Sequence, residues 1–207
     1  MTNPIEMAVL FADVSGSTRL YETVGDAEAL AGIDACLGAL REITERHGGR
    51  VVKTIGDELM CVFPNASACA EAASEMQAHL LDRPAVAGVK LAIRVGFHYG
   101  PLLESGNDVF GDTVNLAARM AGIAKAGQII TTRQSVEAMS APLRAASRCL
   151  DALAVKGKHS EIDVHELIWQ ESDELTLHAG RIERPVTAPQ LRLIHDGREI
   201  LVGPDRP

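Results

Sequence analysis

The order of apolar runs along the chain constrains its fold more than any other feature of the sequence. A mostly apolar run, EMAVLFAD, extends from Glu6 to Asp13 and ends at a carboxylate, as a buried strand does when it delivers a side chain to a sheet edge. Leucine and isoleucine then recur at spacings of three and four between Asp26 and His47. This spacing predicts a long amphipathic helix, and the two glycines after it indicate its end.

The rest of the pattern predicts a sheet with two further helices. Two short apolar runs, VVKT and ELMCVF, predict a β-hairpin with its turn at the intervening Gly-Asp pair. Asn65 is placed to cap an alanine-rich helix that reaches about Leu81. A strand, KLAIRVGFHYG, a helix over about residues 112–124 and a short strand, QIITT, follow. This order predicts an α+β fold of the ferredoxin-like, or palm, type, with helices on one face of an antiparallel sheet.

The composition changes after about residue 170, where proline and charged residues become denser. We therefore predict one main domain over residues 1–170 and a linker or C-terminal extension over residues 171–207. Two apolar runs around Asp196 and Gly197 predict a hairpin within this second segment. The hairpin is either the start of a second domain, resembling a forkhead-associated module, or an ordered extension packed on the main domain.

Charge and composition exclude several classes of partner. The formal net charge is -8 and the sequence has no run rich in lysine or arginine, so we expect no nucleic acid partner. No apolar run approaches the roughly 20 residues of a membrane span, and we expect a cytoplasmic chain without one. The four cysteines lie apart in apolar contexts and are expected to be buried thiols. The seven histidines form no zinc-ligand spacing, so a bound metal should be held by oxygen.

The first motif that carries chemistry is FADVSGSTRL, in which Asp13 ends the first strand and a turn of small residues follows. The main-chain N–H groups of the turn, Ser15, Gly16, Ser17 and Thr18, are suited to phosphate oxygens, and the carboxylate is suited to a cation. The alternative is that Asp13 only caps the next helix.

The second motif is KTIGDELM, with Lys53 on the first strand of the hairpin and Asp57 at its turn. If the first strand neighbours the hairpin, Asp57 lies beside Asp13, and two hard oxygen ligands suit Mg²⁺ or Mn²⁺. The alternative for Asp57 is ordinary turn chemistry, since aspartate is common beside glycine in turns.

The third motif is DVFGDTVNLAARM, where Asn115 and Arg119 are four residues apart and share one face of a helix. An amide and a guanidinium so placed could orient a ribose and stabilise charge on a transferring phosphoryl group. Asp108, in the preceding loop, offers an acceptor. A solvated helix face with an N-cap aspartate would explain each residue separately, but not the order of the three motifs.

Together the motifs, over about residues 6–168, strongly resemble those of the class III adenylyl and guanylyl cyclases, in a bacterial form. The resemblance implies the cyclase fold, a catalytic domain over residues 1–170, and a homodimer whose two sites are each shared between the subunits. It also allows a regulatory domain beyond the C-terminus.

By this resemblance, Asp13 and Asp57 are the carboxylates that bind two Mg²⁺ or Mn²⁺ ions per site, and the main-chain carbonyl of Val14 also reaches a metal. A lysine of the VKGK turn would meet the triphosphate. Lys156 is the candidate, and Lys158 competes with it for this role.

Lys53 and Asp108 match the family pair that selects the purine, and Asn115 and Arg119 match the transition-state pair. A lysine donor and an aspartate acceptor complement N1 and N6 of adenine but not the reversed pattern of guanine. The prediction is therefore an adenylate cyclase that converts ATP to 3′,5′-cyclic AMP and pyrophosphate. The alternatives are a guanylate cyclase, a catalytically silent nucleotide-sensing or dimerisation module, and, less favoured, a GGDEF-type dinucleotide cyclase.

Overall fold

The structure is a computed structural model that describes residues 4–154, 161–170, 191–195 and 198–202. The chain divides into two units, Met1–Gln170 and Glu171–Pro207. The elements of the first unit are β1 (Ile5–Ser15), α1 (Ser17–Val24), α2 (Asp26–Arg46), β2 (Arg50–Ile55), β3 (Glu58–Phe63), α3 (Ala66–Asp82), β4 (Ala92–Ser105), β5 (Asp108–Phe110), α4 (Asp112–Ile123), β6 (Ile129–Thr132), α5 (Arg133–Glu137), α6 (Ala141–Ala145), β7 (Ser147–Ala154) and β8 (Glu161–Leu167).

The strands form one sheet in the order β2-β3-β1-β4-β6-β8-β7, and β5 pairs with the far end of β4. β1 lies inside the sheet and pairs antiparallel with both β3 and β4. Its residues from Ala8 to Ala12 are buried without interruption, as expected of a strand that is covered on both faces.

Alternation along β1 divides the core between the two faces of the sheet. Ala8, Leu10 and Ala12 belong to the larger apolar cluster, which includes residues of α1, α2 and α3. Val9 and Phe11 point the opposite way and belong to a cluster that contains α4 residues. We call this second side of the sheet the α4 face.

The predicted α+β class is confirmed, with two differences in detail. α4 packs on the face opposite to α2 and α3, so the helices do not share one face. Its close approach depends on Gly96 of β4, because a Cβ atom there would lie 1.8 Å from the main-chain nitrogen of Ala121. β4 and β6 are parallel, because α4 is a crossover between them and returns the chain to the same edge.

The elements that the sequence predicted lie close to their predicted positions, whereas α1, β5, α5, α6, β7 and β8 were not predicted. The predicted hairpin is β2 and β3, and Asn65 caps α3 by accepting a hydrogen bond from the N–H of Ala68 at 2.9 Å. Three cysteines are buried as expected. The expectation was wrong for Cys149, which is exposed on β7, a strand at the edge of the sheet.

The second unit contains the hairpin that the sequence predicts near its end. β9 (Leu191–His195) and β10 (Arg198–Val202) pair antiparallel. The resemblance of this segment to a forkhead-associated module stays a prediction. In the part of the chain that the structure describes, no helix is long and apolar enough to cross a membrane.

Candidate active site

Asp13 lies on the α4 face of β1, where strand alternation places it with Val9 and Phe11. Its partner across the β1–β4 ladder is Arg94, whose Nε donates to Oδ2 of Asp13 at 2.5 Å. The Asp13 side chain is only 16% exposed. The N-cap of α1 is Gly16, and no side chain caps that helix, so the alternative role of Asp13 as a cap is wrong.

Asp57 occupies the two-residue turn between β2 and β3, directly beside the end of β1. Gly56, the first turn residue, has a positive φ of 63°, which glycine adopts without steric cost. The main-chain oxygen of Asp57 accepts a hydrogen bond from the N–H of Val14 at 3.3 Å. The sequence-based expectation that the first strand neighbours the hairpin, and so brings Asp57 near Asp13, is therefore met in the structure.

Two charged residues beside these carboxylates were not singled out from the sequence. Arg94 is the first, and Glu58, which pairs with Asp13 across the β1–β3 ladder, is the second. Burial is the main cause that raises the pKa of Glu58, and the negative charge of Asp13 raises it further; Arg94 lowers this pKa, and Asp57 raises it by the smallest effect. The one basic residue in the apolar run AIRVGF was the available sequence signal for Arg94.

The predicted phosphate turn connects β1 to α1. Gly16 adopts a left-handed conformation with φ 96°, and α1 begins at Ser17. The first N–H groups of a helix have no partner within the helix, so those of Ser17 and Thr18 lie where an anion could accept from them. Both residues also line a groove of about 370 Å³ that reaches Gly56 and Asp57.

Lys53 and Asp108 meet although 55 residues separate them in the chain. Nζ of Lys53 donates to Oδ2 of Asp108 at 2.7 Å, and Oδ1 of Asp108 accepts from the N–H of Val109 at 2.9 Å. These two hydrogen bonds, first that from Lys53, lower the pKa of Asp108. Asp108 is therefore an ionised acceptor held in one orientation beside a lysine donor.

Asn115 and Arg119 lie on the exposed side of α4. The opposite side of the helix is buried against the sheet through Leu116, Ala117 and Met120. The N-cap of α4 is Gly111, and no side chain caps the helix, so the alternative interpretation, in which an aspartate is the N-cap, is wrong. The pair shares a helix face as the spacing predicts, and this face points away from the core of its own chain.

The oxygen donors at the end of β1 supply part of the ligand set of a divalent cation. Asp13 and Asp57 are hard oxygen donors, which Mg²⁺ and Mn²⁺ prefer. Among the described residues, no group of three or more histidine, cysteine, aspartate or glutamate side chains could hold a metal ion by itself. Two carboxylates fit an ion that takes its remaining ligands from main-chain oxygen, water and substrate phosphates, as Mg²⁺ does in nucleotide sites.

Lys156 and Lys158 lie outside the described residues, so their predicted contact with the triphosphate stays a prediction. The other candidate residues all lie on described elements. The structure brings them together as two groups, one at Asp13 and Asp57 and one at Lys53 and Asp108, and it places Asn115 and Arg119 on a separate helix surface.

Comparison with known proteins identifies the family. The adenylate and guanylate cyclase catalytic domain family matches residues 2–168, and the chain belongs to this family. An adenylate cyclase of Streptomyces coelicolor is 36% identical over 121 residues, which are 57% of this chain and 30% of that protein. The chain spans 30% to 40% of the length of its bacterial curated relatives, and less of those from Dictyostelium discoideum and Mycosarcoma maydis.

Solved structures confirm the class III cyclase fold. The catalytic core of a rhodopsin-guanylyl cyclase with converted specificity, in complex with ATPαS, has a TM-score of 0.72 and 23% identity, covering 80% of this chain and 96% of that one. The adenylyl cyclase CyaB from P. aeruginosa has a TM-score of 0.66 and 23% identity, covering 84% and 98%.

Proposed function

We propose that this domain is an adenylate cyclase, which converts ATP to 3′,5′-cyclic AMP and pyrophosphate. The observation that carries this choice within the cyclase family is the 2.7 Å ion pair between Lys53 and Asp108. The pair presents a donor beside an ionised acceptor, both on partly exposed side chains at the α4 face. A cytoplasmic location remains a prediction.

The substrate base is chosen by hydrogen-bond complementarity. Adenine offers an acceptor at N1 and a donor at N6, which Lys53 and Asp108 satisfy respectively. Guanine presents an acceptor at O6 and donors at N1 and N2, so a lysine at N1 would leave polar groups unpaired. A site built to hydrogen-bond one pattern rejects the reversed one strongly. ATP is therefore the proposed substrate.

The reaction is an intramolecular phosphoryl transfer. The ribose O3′ forms a bond to the α-phosphorus, the bond from the α-phosphorus to pyrophosphate breaks, and the hydroxyl proton leaves to solvent. Asp13, Asp57 and the carbonyl of Val14 would hold divalent ions, which would supply Lewis-acid chemistry by acidifying the hydroxyl and neutralising phosphate charge. No covalent intermediate with the protein is required.

The side chains of this protein contribute position and charge. The turn from Ser15 to Thr18 donates N–H groups to the phosphates, and Asn115 orients the ribose. Arg119 stabilises the negative charge that develops on the transferring group. Since both reacting groups belong to one bound molecule, positioning and electrostatics supply most of the acceleration.

A homodimer with shared sites is also proposed. Asn115 and Arg119 face away from the core of their own chain, so a second copy can receive them at its Asp13 and Asp57. Apolar residues are exposed near this surface: Leu103 is 42% exposed, Phe110 51% and Ile123 44%. A two-fold partner would cover such residues on both chains at once.

Turnover with purified protein tests the proposal. The chain is incubated with Mn²⁺ and either ATP or GTP, and both cyclic products are quantified by chromatography. We expect cyclic AMP from ATP, with GTP a poor substrate. Preferential formation of cyclic GMP would establish a guanylate cyclase, and nucleotide binding without either product would establish a silent sensor.

A further inference from the structure

An irregularity in β2 places two basic residues on the same side of the sheet. Val51 pairs with Cys61 and Lys53 pairs with Met60, so Val52 is an extra residue in the ladder. In a regular strand Arg50 and Lys53, three apart, would point to opposite faces. The extra residue Val52 forms a β-bulge that shifts the alternation by one residue, so Arg50 and Lys53 point to the same face of the sheet. Val51 packs with the larger cluster and Val52 with the α4-face cluster.

Both basic residues reach the β4–β5 hairpin, residues 103–110, which carries Asp108. Among the described strands β5 pairs with β4 alone. Asp108 is the first residue of β5 and follows directly after the turn residue Asn107. No main-chain ladder between β5 and β2 is therefore seen in the described chain, so the direct contacts between β2 and the hairpin that carries Asp108 are made by side chains.

Arg50 supplies that connection through two hydrogen bonds. Its Nη2 donates to Oε1 of Glu104 at 2.5 Å, and its Nη1 donates to the main-chain oxygen of Asn107 at 3.3 Å. Glu104 and Asn107 lie on opposite sides of the hairpin turn, since Glu104 is on β4 and Asn107 immediately precedes β5. One guanidinium thus bridges the turn, and its planar fork suits two acceptors at once.

We propose that Arg50 is a positioning residue for base discrimination. It holds the hairpin through Glu104 and Asn107, so that the Asp108 carboxylate stays opposite Lys53 at the spacing of N1 and N6 of adenine. The inference rests on the proposed recognition of adenine by these two residues. Arg50 itself does not contact the substrate in this assignment.

Loss of Arg50 should weaken the binding of ATP, but only by a small factor. Arg50 and Glu104 are each about 40% exposed, and half-exposed ion pairs make small contributions. We expect a rise of about threefold to fivefold in the KM for ATP. GTP does not use the Asp108 acceptor in the adenine geometry, so its inhibition constant against ATP turnover should stay unchanged.

The experiment compares Arg50→Gln, Glu104→Gln and the double variant with Arg46→Gln. Arg46 is a matched control, because it forms a comparably exposed ion pair with Glu75 on the other side of the sheet. KM and kcat for ATP and the inhibition constant for GTP are measured for each. Arg50→Gln should raise the KM for ATP with little change in kcat, and the double variant should resemble Arg50→Gln alone, because the two residues act as one unit.

Three results would overturn the inference: an Arg50→Gln variant that matches Arg46→Gln, an equal change for ATP and GTP, or a loss confined to kcat. If Arg50→Gln does not fold, Glu104→Gln gives the same test from the partner side. Failure of the proposed adenylate cyclase function gives results that differ from failure of the proposal for Arg50. In that case wild type makes no cyclic AMP, or changes at Lys53 and Asp108 leave base preference untouched, whatever Arg50 does.

Discussion

Arg94 and Asp13 lie directly opposite each other on β4 and β1, and the guanidinium Nε donates to the carboxylate at 2.5 Å. Asp13 is one of the two carboxylates proposed to bind divalent ions, so a protein cation already sits beside the proposed metal site. Glu58 lies on the other side of Asp13, on β3. The electrostatic field at the proposed metal site therefore depends on the balance between the Arg94 guanidinium and the carboxyl groups of Asp13, Asp57 and Glu58.

The first prediction concerns this balance. Arg94→Gln removes a positive charge next to Asp13, and we expect tighter binding of Mn²⁺ in the presence of nucleotide, by about threefold or more. Titration of free Mn²⁺ by electron paramagnetic resonance measures the affinity directly, independently of turnover. Weaker or unchanged Mn²⁺ binding in the variant would contradict the assignment of Asp13 as a metal ligand.

The second prediction tests the carboxylates themselves. Asp13→Ala or Asp57→Ala should lower turnover at least about 100-fold with the fold intact, because each removes a metal ligand. Asp34→Ala is the matched control, since Asp34 is an exposed acid on α2 that lines the same groove as Asp57. Circular dichroism checks the fold. A near wild-type rate in either active-site variant with Mn²⁺ would refute the two-metal assignment.

Local patterns predicted the strand end at Asp13, the turn at Asp57 and the helix face shared by Asn115 and Arg119, and the structure places them accordingly. The meeting of Lys53 with Asp108, from two separate motifs, was predicted only through the family resemblance. Arg94 and Asp13 are 81 residues apart, and their pairing depends on the β1–β4 register, which periodicity does not reveal.

The same limit applies to larger features. The apolar run VVKT contains no signal for the bulge at Val52, although this bulge determines the face of the sheet to which Arg50 points. The position of α4 on the second face follows from a close approach at Gly96, a contact between elements and not a pattern within one. The parallel pairing of β4 and β6 follows from that crossover. The sheet is therefore mixed where an antiparallel sheet was predicted, and its strands β5, β7 and β8 were not predicted.

The third prediction concerns the transition state. Arg119→Ala should lower kcat about 100-fold while the KM for ATP changes little, because the guanidinium acts on charge that develops during transfer. Arg119→Lys should recover part of the rate, since it keeps the charge but not the fork. Steady-state kinetics with ATP and Mn²⁺ measures both constants, and an effect on KM alone would contradict the assigned role.

The fourth prediction concerns the purine pair. Lys53→Glu combined with Asp108→Cys removes the donor at N1 and the charged acceptor at N6 of adenine, so ATP use should weaken and GTP use should rise relative to it. The ratio of kcat/KM for the two nucleotides is the measurement. An unchanged preference for ATP in this double variant would show that other groups recognise the base.

The last prediction is complementation between two inactive chains. Asp13 and Asp57 are assigned to one subunit of each site, and Asn115 and Arg119 to the other, because the latter pair lies on the exposed side of α4. Asp13→Ala and Arg119→Ala homodimers should each be nearly inactive. In a heterodimer of the two, both lesions fall in one site, and the other site contains every group.

Activity should therefore reappear on mixing. With equal amounts and no pairing bias, about half of the dimers are heterodimers with one intact site each, so recovery should approach roughly a quarter of wild-type activity. A pull-down with two affinity tags verifies subunit exchange, and Asp13→Ala mixed with Asp57→Ala is the control, because both lesions lie on the same side and leave no intact site. If exchange is verified and the Asp13→Ala and Arg119→Ala mixture still makes no cyclic AMP, the metal carboxylates and the transition-state pair must act within one chain.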